Sequence, residues 1–281
     1  MTTRTRDLLL TALAPAIWGS TYIVTTALLP QVPPMTVALL RALPAGLLLL
    51  LAARRLPQGI WWLRVFILGA LNFSVFWSLL FVSAYRLPGG AAATVGAVQP
   101  LVVVFLAVAV LGSAVRPAAV LGAPAGLAGV ALLVLTPGAA LDATGIAAGL
   151  AGAVSMACGT VLTRKWRAPV PLRTFTAWQL TAGGLLLVPV ALLVGPHWPA
   201  PTAGHLLGLA WLGLVGAALT YVLWFRGIAR LEPGVVASLG FLSPVTAILL
   251  GWAFLGQTLA GPQIAGVALV LGGIWLGQRN A

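Results

Sequence analysis

Trp18, Tyr22 and Thr25 follow one another at i, i+4 and i+7, a spacing that lines an indole, a phenol and a hydroxyl along one helix face. Asn72, Trp77 and Ser78 crowd a second stretch, and Thr94 and Gln99 a third. Thr160, Tyr221, Trp224 and Ser243 punctuate otherwise apolar runs. Such groups stack and exchange hydrogen bonds, which suits recognition of a small neutral or zwitterionic molecule, aromatic amino acids included. Catalysis would need a nucleophile beside a base, or a metal cluster. The chain offers two histidines, His197 and His205, which read as surface residues flanking a connection. Its three acids, Asp7, Asp142 and Glu232, all stand at the ends of apolar runs. Cys158 is the one cysteine, so no disulfide framework or cysteine metal site is expected; among small residues it reads as packing. An enzyme, a bound cofactor and a metal are all excluded as expectations.

Arg41 is the one base inside an apolar run. A charge within a membrane is costly unless it faces water or a partner. Two readings follow: the side chain snorkels or bonds helix carbonyls, or it attracts a substrate carboxylate near an outward mouth.

The elements that must position these residues follow from composition. The 281 residues are 61% hydrophobic and 6% charged, with a mean hydropathy of +1.09. Water-soluble domains carry about 25% charged residues, so this chain lacks the polar sequence to cover a surface in water. Fifteen bases against three acids give a formal charge of +12. The bases sit singly or in small groups at the ends of apolar runs, with no interleaved aromatics, which argues against nucleic-acid binding.

A membrane span needs about 20 apolar residues. Ten runs qualify, near 8–29, 34–52, 62–83, 90–111, 117–136, 144–163, 172–194, 204–225, 234–255 and 260–277. They are too long for barrel strands and do not alternate, so the expected fold is an all-α polytopic membrane protein. With both termini cytoplasmic, thirteen of the fifteen bases fall in inside segments, Arg86 alone in an outside one, and Arg41 within a span. The first run is too long for a cleaved signal and reads as a span.

The stretch GAVQPLVVVFLAVAVLGS at 96–113 has a partner in GFLSPVTAILLGWAFLGQ at 240–257. At a shift of 144, Gly96 meets Gly240, Pro100 meets Pro244, and Leu111-Gly112 meets Leu255-Gly256. Arg86-Leu87 meets Arg230-Leu231, Trp77 meets Tyr221, Gly122 meets Gly266 and Gly129 meets Gly273. At 138, Gly46 meets Gly184; at 140, Gly19 meets Gly159. Two collinear repeats, 1–137 and 138–281, are expected. Five spans each would make the second run inverted relative to the first, an architecture that builds secondary transporters with alternating access. Pro100 and Pro244 are expected to interrupt the hydrogen-bond ladders of spans four and nine and to act as paired hinges. The small-residue stripes of spans five and ten read as helix-packing or dimer-contact faces.

Trp18-Gly19, Pro34 followed by Arg41, Phe81 to Gly112 and its second copy Trp224 to Gly256 resemble the EamA unit of the drug/metabolite transporter superfamily. The likeness covers nearly the whole chain, and its bacterial form is similar to YddG-type exporters of aromatic and other amino acids. The resemblance implies ten helices in a two-fold inverted arrangement, a central cavity and alternating access in an inner membrane, working as a monomer or weak homodimer. Substrates of the superfamily range over amino acids, other metabolites, sugar conjugates and drugs, so a different metabolite or drug is the alternative cargo. The family often places Glu after the Leu-Gly of spans four and nine, where this chain has Ser113 and Gln257. With no carboxylate near the midplane, transport is expected without a carboxylate proton relay. A non-transport assembly protein is the remaining rival, and paired mid-span prolines suit moving helices better than a fixed scaffold.

Overall fold

The computed structural model describes residues 2–87, 95–114, 117–134, 142–195, 200–256 and 261–278. Apolar runs wind into helices because hydrocarbon offers their backbone groups no partner outside the protein. The helices are α1 (Thr3–Leu28), α2 (Pro34–Ala53), α3 (61–86), α4 (Gln99–Leu111), α5 (Pro117–Val134), α6 (Ala143–Lys165), α7 (Leu172–Val194), α8 (203–230), α9 (233–255) and α10 (Gly261–Gln278). No strand occurs among the described residues. Seven of the helices, α1, α2, α3, α6, α7, α8 and α9, are long and apolar enough to cross a membrane, and α4, α5 and α10 contain shorter apolar stretches. Leu51, Leu193 and Phe254 are 71, 83 and 72% exposed. Side chains of that kind on the outside are accommodated by lipid rather than water, so the chain is a multi-pass membrane protein.

Helix ends follow local chemistry. Thr2 caps α1 by accepting from Thr5 N, and Asp142 caps α6 by accepting from Gly145 N at 2.6 Å. Thr202 and His205 form a reciprocal capping box at the start of α8, where His205 N donates to Thr202 Oγ1 and Thr202 N to His205 Nδ1. His205 is therefore a buried capping residue, not the surface histidine expected; His197 lies outside the described residues. The Leu-Gly pairs explain themselves: Gly112 and Gly256 close α4 and α9 in the left-handed conformation, both at φ +65°. No neighbouring atom stands within 4 Å of where a Cβ would project from either, so glycine is required for its backbone, not for space.

Small residues bring the helices together, since apolar side chains gain nothing by leaving lipid. On the α2–α7 seam a Cβ at Gly46 would fall 2.5 Å from Thr181 N, and one at Gly184 would fall 2.7 Å from Leu43 Cα. Thr181 and Leu43 are themselves related by the 138-residue shift. On the α5–α10 seam Gly129 abuts Gly266 O and Val270 N, while Gly273 abuts Gly122 O and Gly126 N. These too exchange under the 144-residue shift. Each contact is thus matched by its repeat-related counterpart, the reciprocity of a two-fold interface. The glycine stripes of α5 and α10 are spent on one another within the chain.

Two further features recur in register. In α3, residues Ala70–Ser74 widen into a π-helix between α segments Trp61–Gly69 and Val75–Arg86. In α8, Trp211–Leu219 do the same between Ala203–Ala210 and Thr220–Arg230. A shift of 144 superposes the first π segment on the middle of the second. Likewise a turn at 97–98 precedes α4, and a turn at 240–241 divides α9 into Pro233–Leu239 and Leu242–Leu255.

Candidate functional site

A π turn shifts the register of backbone hydrogen bonds and exposes carbonyls for other donors. In α8 that carbonyl is Gly216 O. It accepts from Trp18 Nε1 of α1 at 3.2 Å, Arg41 Nη2 of α2 at 3.0 Å and Thr220 Oγ1 of its own helix at 2.8 Å. Trp18 Nε1 also donates to Thr220 Oγ1 at 2.9 Å. In α3 the π segment exposes Leu71 O, one residue out of the 144-residue register from Gly216, and it receives Ser155 Oγ of α6 at 3.0 Å. Because α1 pairs with α6 and α3 with α8 in the repeat, both π segments are tied down by repeat-related neighbours.

Around Gly216 O the aromatic residues converge. Trp18 packs on Tyr221 and Trp224 with ring centroids 5.0 and 5.2 Å apart. Phe73 of α3 meets Tyr221 edge-on at 4.6 Å, Trp77 at 5.4 Å and Phe225 at 6.4 Å. Trp77 stands 6.5 Å from its repeat mate Tyr221. The edge-to-face geometries are those that aromatic quadrupoles favour. Arg41 turns inward, its guanidinium carbon 4.8 Å from the Trp77 ring centroid, in cation–π contact. The bond to a helix carbonyl, one of the contacts expected of Arg41, is present.

The other residues of interest are placed as follows. Asn72 is fully buried and aims away from the aromatic cluster, at α6 and α7, where Nδ2 donates to Gln179 Oε1 at 2.9 Å and Thr163 Oγ1 at 3.2 Å. Ser78 Oγ lies 3.8 Å from Met35 Sδ on α2. Thr160 Oγ1 and Trp224 Nε1 are buried without a hydrogen-bond partner among the described residues. Gln99 opens α4, and Ser243 lies in the first turn of the second α9 segment. Thr94 and the side chain of Tyr22 lie outside the described residues.

Pro100 and Pro244 require a correction. From the sequence they stand within spans and are expected to break ladders and free carbonyls. Both instead occupy the first turn of the helical segment that follows the break. A first-turn N–H has no intrahelical acceptor, so proline forfeits nothing there. The interruptions themselves are i→i−3 turns, with Val98 N on Val95 O, Gly240 N on Ala237 O and Phe241 N on Ser238 O.

A cleft of about 490 Å³ opens between the start of α2, the end of α3 and the end of α7. Pro33, Pro34, Met35, Phe81, Val82, Arg86 and Val194 line it. Met35 links it to Ser78, one residue from Trp77, and Phe81 packs on the same core as Trp77 and Tyr221. Gly216, Thr220, Phe73, Phe225, Thr163 and Gln179 are site neighbours that the sequence did not single out. Thr220 adjoins Tyr221, but only the π register shows that its hydroxyl meets Trp18.

The EamA-like transporter family matches residues 6–135 and 143–277, one copy in each half. The chain is similar to Protein PecM of Dickeya dadantii, 44% identical over 94% of this chain and 90% of that protein. It is 29% identical to the uncharacterized inner membrane transporter YedA of Escherichia coli K12, over 87% of this chain and 81% of YedA. It is 25% identical to a probable amino-acid metabolite efflux pump of Salmonella typhimurium, over 96% and 94%. A solved crystal structure shares the fold, with a TM-score of 0.84 at 23% identity over 98% of this chain and 96% of the other.

Proposed function

Because the chain belongs to the EamA-like transporter family, we propose that it is an inner-membrane secondary transporter that exports neutral amino acids, aromatic ones included, by alternating access. Membership and the two-repeat fold make it a membrane transporter, a non-enzyme role. The amino-acid cargo rests on one observation above others: a guanidinium held between the Gly216 carbonyl and the Trp77 face, inside a cluster of indole, phenol and phenyl rings. The cation suits a substrate carboxylate, and the rings suit an apolar side chain. Trp18, Trp77, Tyr221 and Trp224 form the recognition surface on this reading, with Tyr22, Ser78, Thr94, Gln99, Thr160 and Ser243 along the path. Asn72 supports it from behind, by holding the α3 π segment against α6 and α7. The name of the Salmonella relative favours the same cargo.

The repeats 1–137 and 138–281 then form inverted five-span halves, with both termini cytoplasmic. The turns ahead of Pro100 and Pro244 serve as the paired flexing points. No acid lies near the middle of a described span, so transport follows the substrate gradient.

Proteoliposomes loaded with radiolabelled phenylalanine, leucine and their decarboxylated amines test the proposal. Wild-type protein is expected to release the amino acids, with little change on imposing a pH gradient. Arg41→Gln is expected to lose about tenfold in apparent affinity for the amino acids and little for the amines. Release of neither amino acid by wild-type protein overturns the cargo.

A further inference from the structure

The α1–α8 seam runs past the candidate site toward the end of the molecule that carries the N-terminus. Trp18 meets Gly216 and Thr220 at one level, and Thr11 is wedged against Gly227 further along. At the end of the seam stands Asp7, with a side chain only 8% exposed. Its Oδ1 lies 2.5 Å from Arg226 Nη2 and 3.5 Å from Arg230 Nη1, both on α8. Eleven residues of α1 separate Asp7 from Trp18, about 16 Å of helix. Arg164 of α6 adds a third cation, donating to the Ile228 and Leu231 carbonyls at the end of α8.

The repeat-related end is built differently. Shifts of 140 and 144 carry Asp7 to Ala147, Arg226 to Val82 and Arg230 to Arg86. Val82 and Arg86 line the open cleft, and among the described residues the acid beside Arg86 is Asp142, 3.9 Å away with both side chains about half exposed. One end of a duplicated molecule therefore carries a buried charge pair where the other carries alanine and valine. Exposed pairs contribute little, whereas a buried pair strongly resists separation, because parting it leaves an uncompensated charge.

We propose that Asp7, Arg226 and Arg230 form a latch that holds the terminus-bearing end of the α1–α8 seam shut and biases the resting protein toward opening at the other end. The proposal rests on the alternating-access reading above. For this end to open, α1 and α8 must part at Asp7.

The latch is tested by accessibility, independently of flux. With Cys158→Ala as background, Thr11→Cys places a thiol directly behind the latch. Labelling by a membrane-impermeant maleimide, in sealed vesicles of each orientation, then reports whether the seam is open. With the latch intact the thiol is expected to label slowly from both sides. With Asp7→Asn added, labelling from the terminus-bearing side is expected to rise at least tenfold, with the other side unchanged. The charge exchange Asp7→Arg with Arg226→Asp is expected to restore slow labelling, which separates a lost latch from a damaged fold. Unchanged labelling in Asp7→Asn, or failure of the exchange to restore protection in a protein of normal yield, overturns the latch. Faster labelling in Asp7→Asn beside absent flux in the wild type would overturn the transport reading and leave the seam contact standing.

Discussion

Side chains that look alike in the sequence divide into two kinds once their partners are known. Asn72 and Trp18 are both polar interruptions of apolar runs. Asn72 ties α3 to α6 and α7 through Thr163 and Gln179, all three buried. Asn72→Ala removes both bonds that tie α3 to this network, leaving Gln179 Oε1 with Thr163 Oγ1 as its donor, and is expected to cost about 1–3 kcal/mol, read as a lower melting temperature in detergent. Trp18 ties α1 to the exposed carbonyl of α8. Trp18→Phe keeps an aromatic ring but removes the N–H together with the pyrrole edge of the indole, so a loss of at least about 1 kcal/mol is expected. Because that bond lies at the proposed recognition surface, the substitution is expected to slow efflux more than it lowers yield. The polar character of both residues was legible in the sequence. Which helix each faced was not, since an apolar run gives its helix no marked polar side from which to read an orientation.

At the scale of the element, residue type and spacing set where helices end. The matched Leu-Gly pairs become left-handed caps, and each glycine is there for its φ alone. Gly256→Ala is therefore expected to lower stability by about 1–2 kcal/mol with no steric component, measurable as a fall in melting temperature that larger side chains scarcely deepen. The prolines show the limit of such reading. A proline within twenty apolar residues looks like a kink, yet these two open the segment after a turn. The π segments left no trace in composition. They arise where Ser155 of α6, and Trp18 and Arg41 from α1 and α2, supply donors to carbonyls that a regular α-helix would have kept.

For the whole molecule, the repeat is expressed as reciprocal contacts. Gly129 against Gly266 and Val270, and Gly273 against Gly122 and Gly126, make α5 and α10 a close-packed pair. Gly129→Val drives a branched side chain into the Val270 backbone and is expected to cut the yield of folded protein severely, scored by fluorescence size-exclusion chromatography. Gly272→Val, on the same helix pair with open space around it, is expected to leave yield unchanged.

The sequence by itself determined the membrane class, the helical character of the apolar runs, the duplication and the family likeness, since each is written in local composition or in order along the chain. It also left aromatics, neutral polar groups and one arginine within a span as the groups from which the proposed recognition surface could be built, since hardly any other chemistry is present. Tertiary structure decided which of those groups meet. The Gly216 carbonyl as a shared acceptor, Arg41 seated on Trp77, Asn72 turned to α6 and α7, and Asp7 buried between two arginines all join residues distant in sequence. Such meetings depend on helix rotation and register, which small-residue packing sets and no single run of residues records.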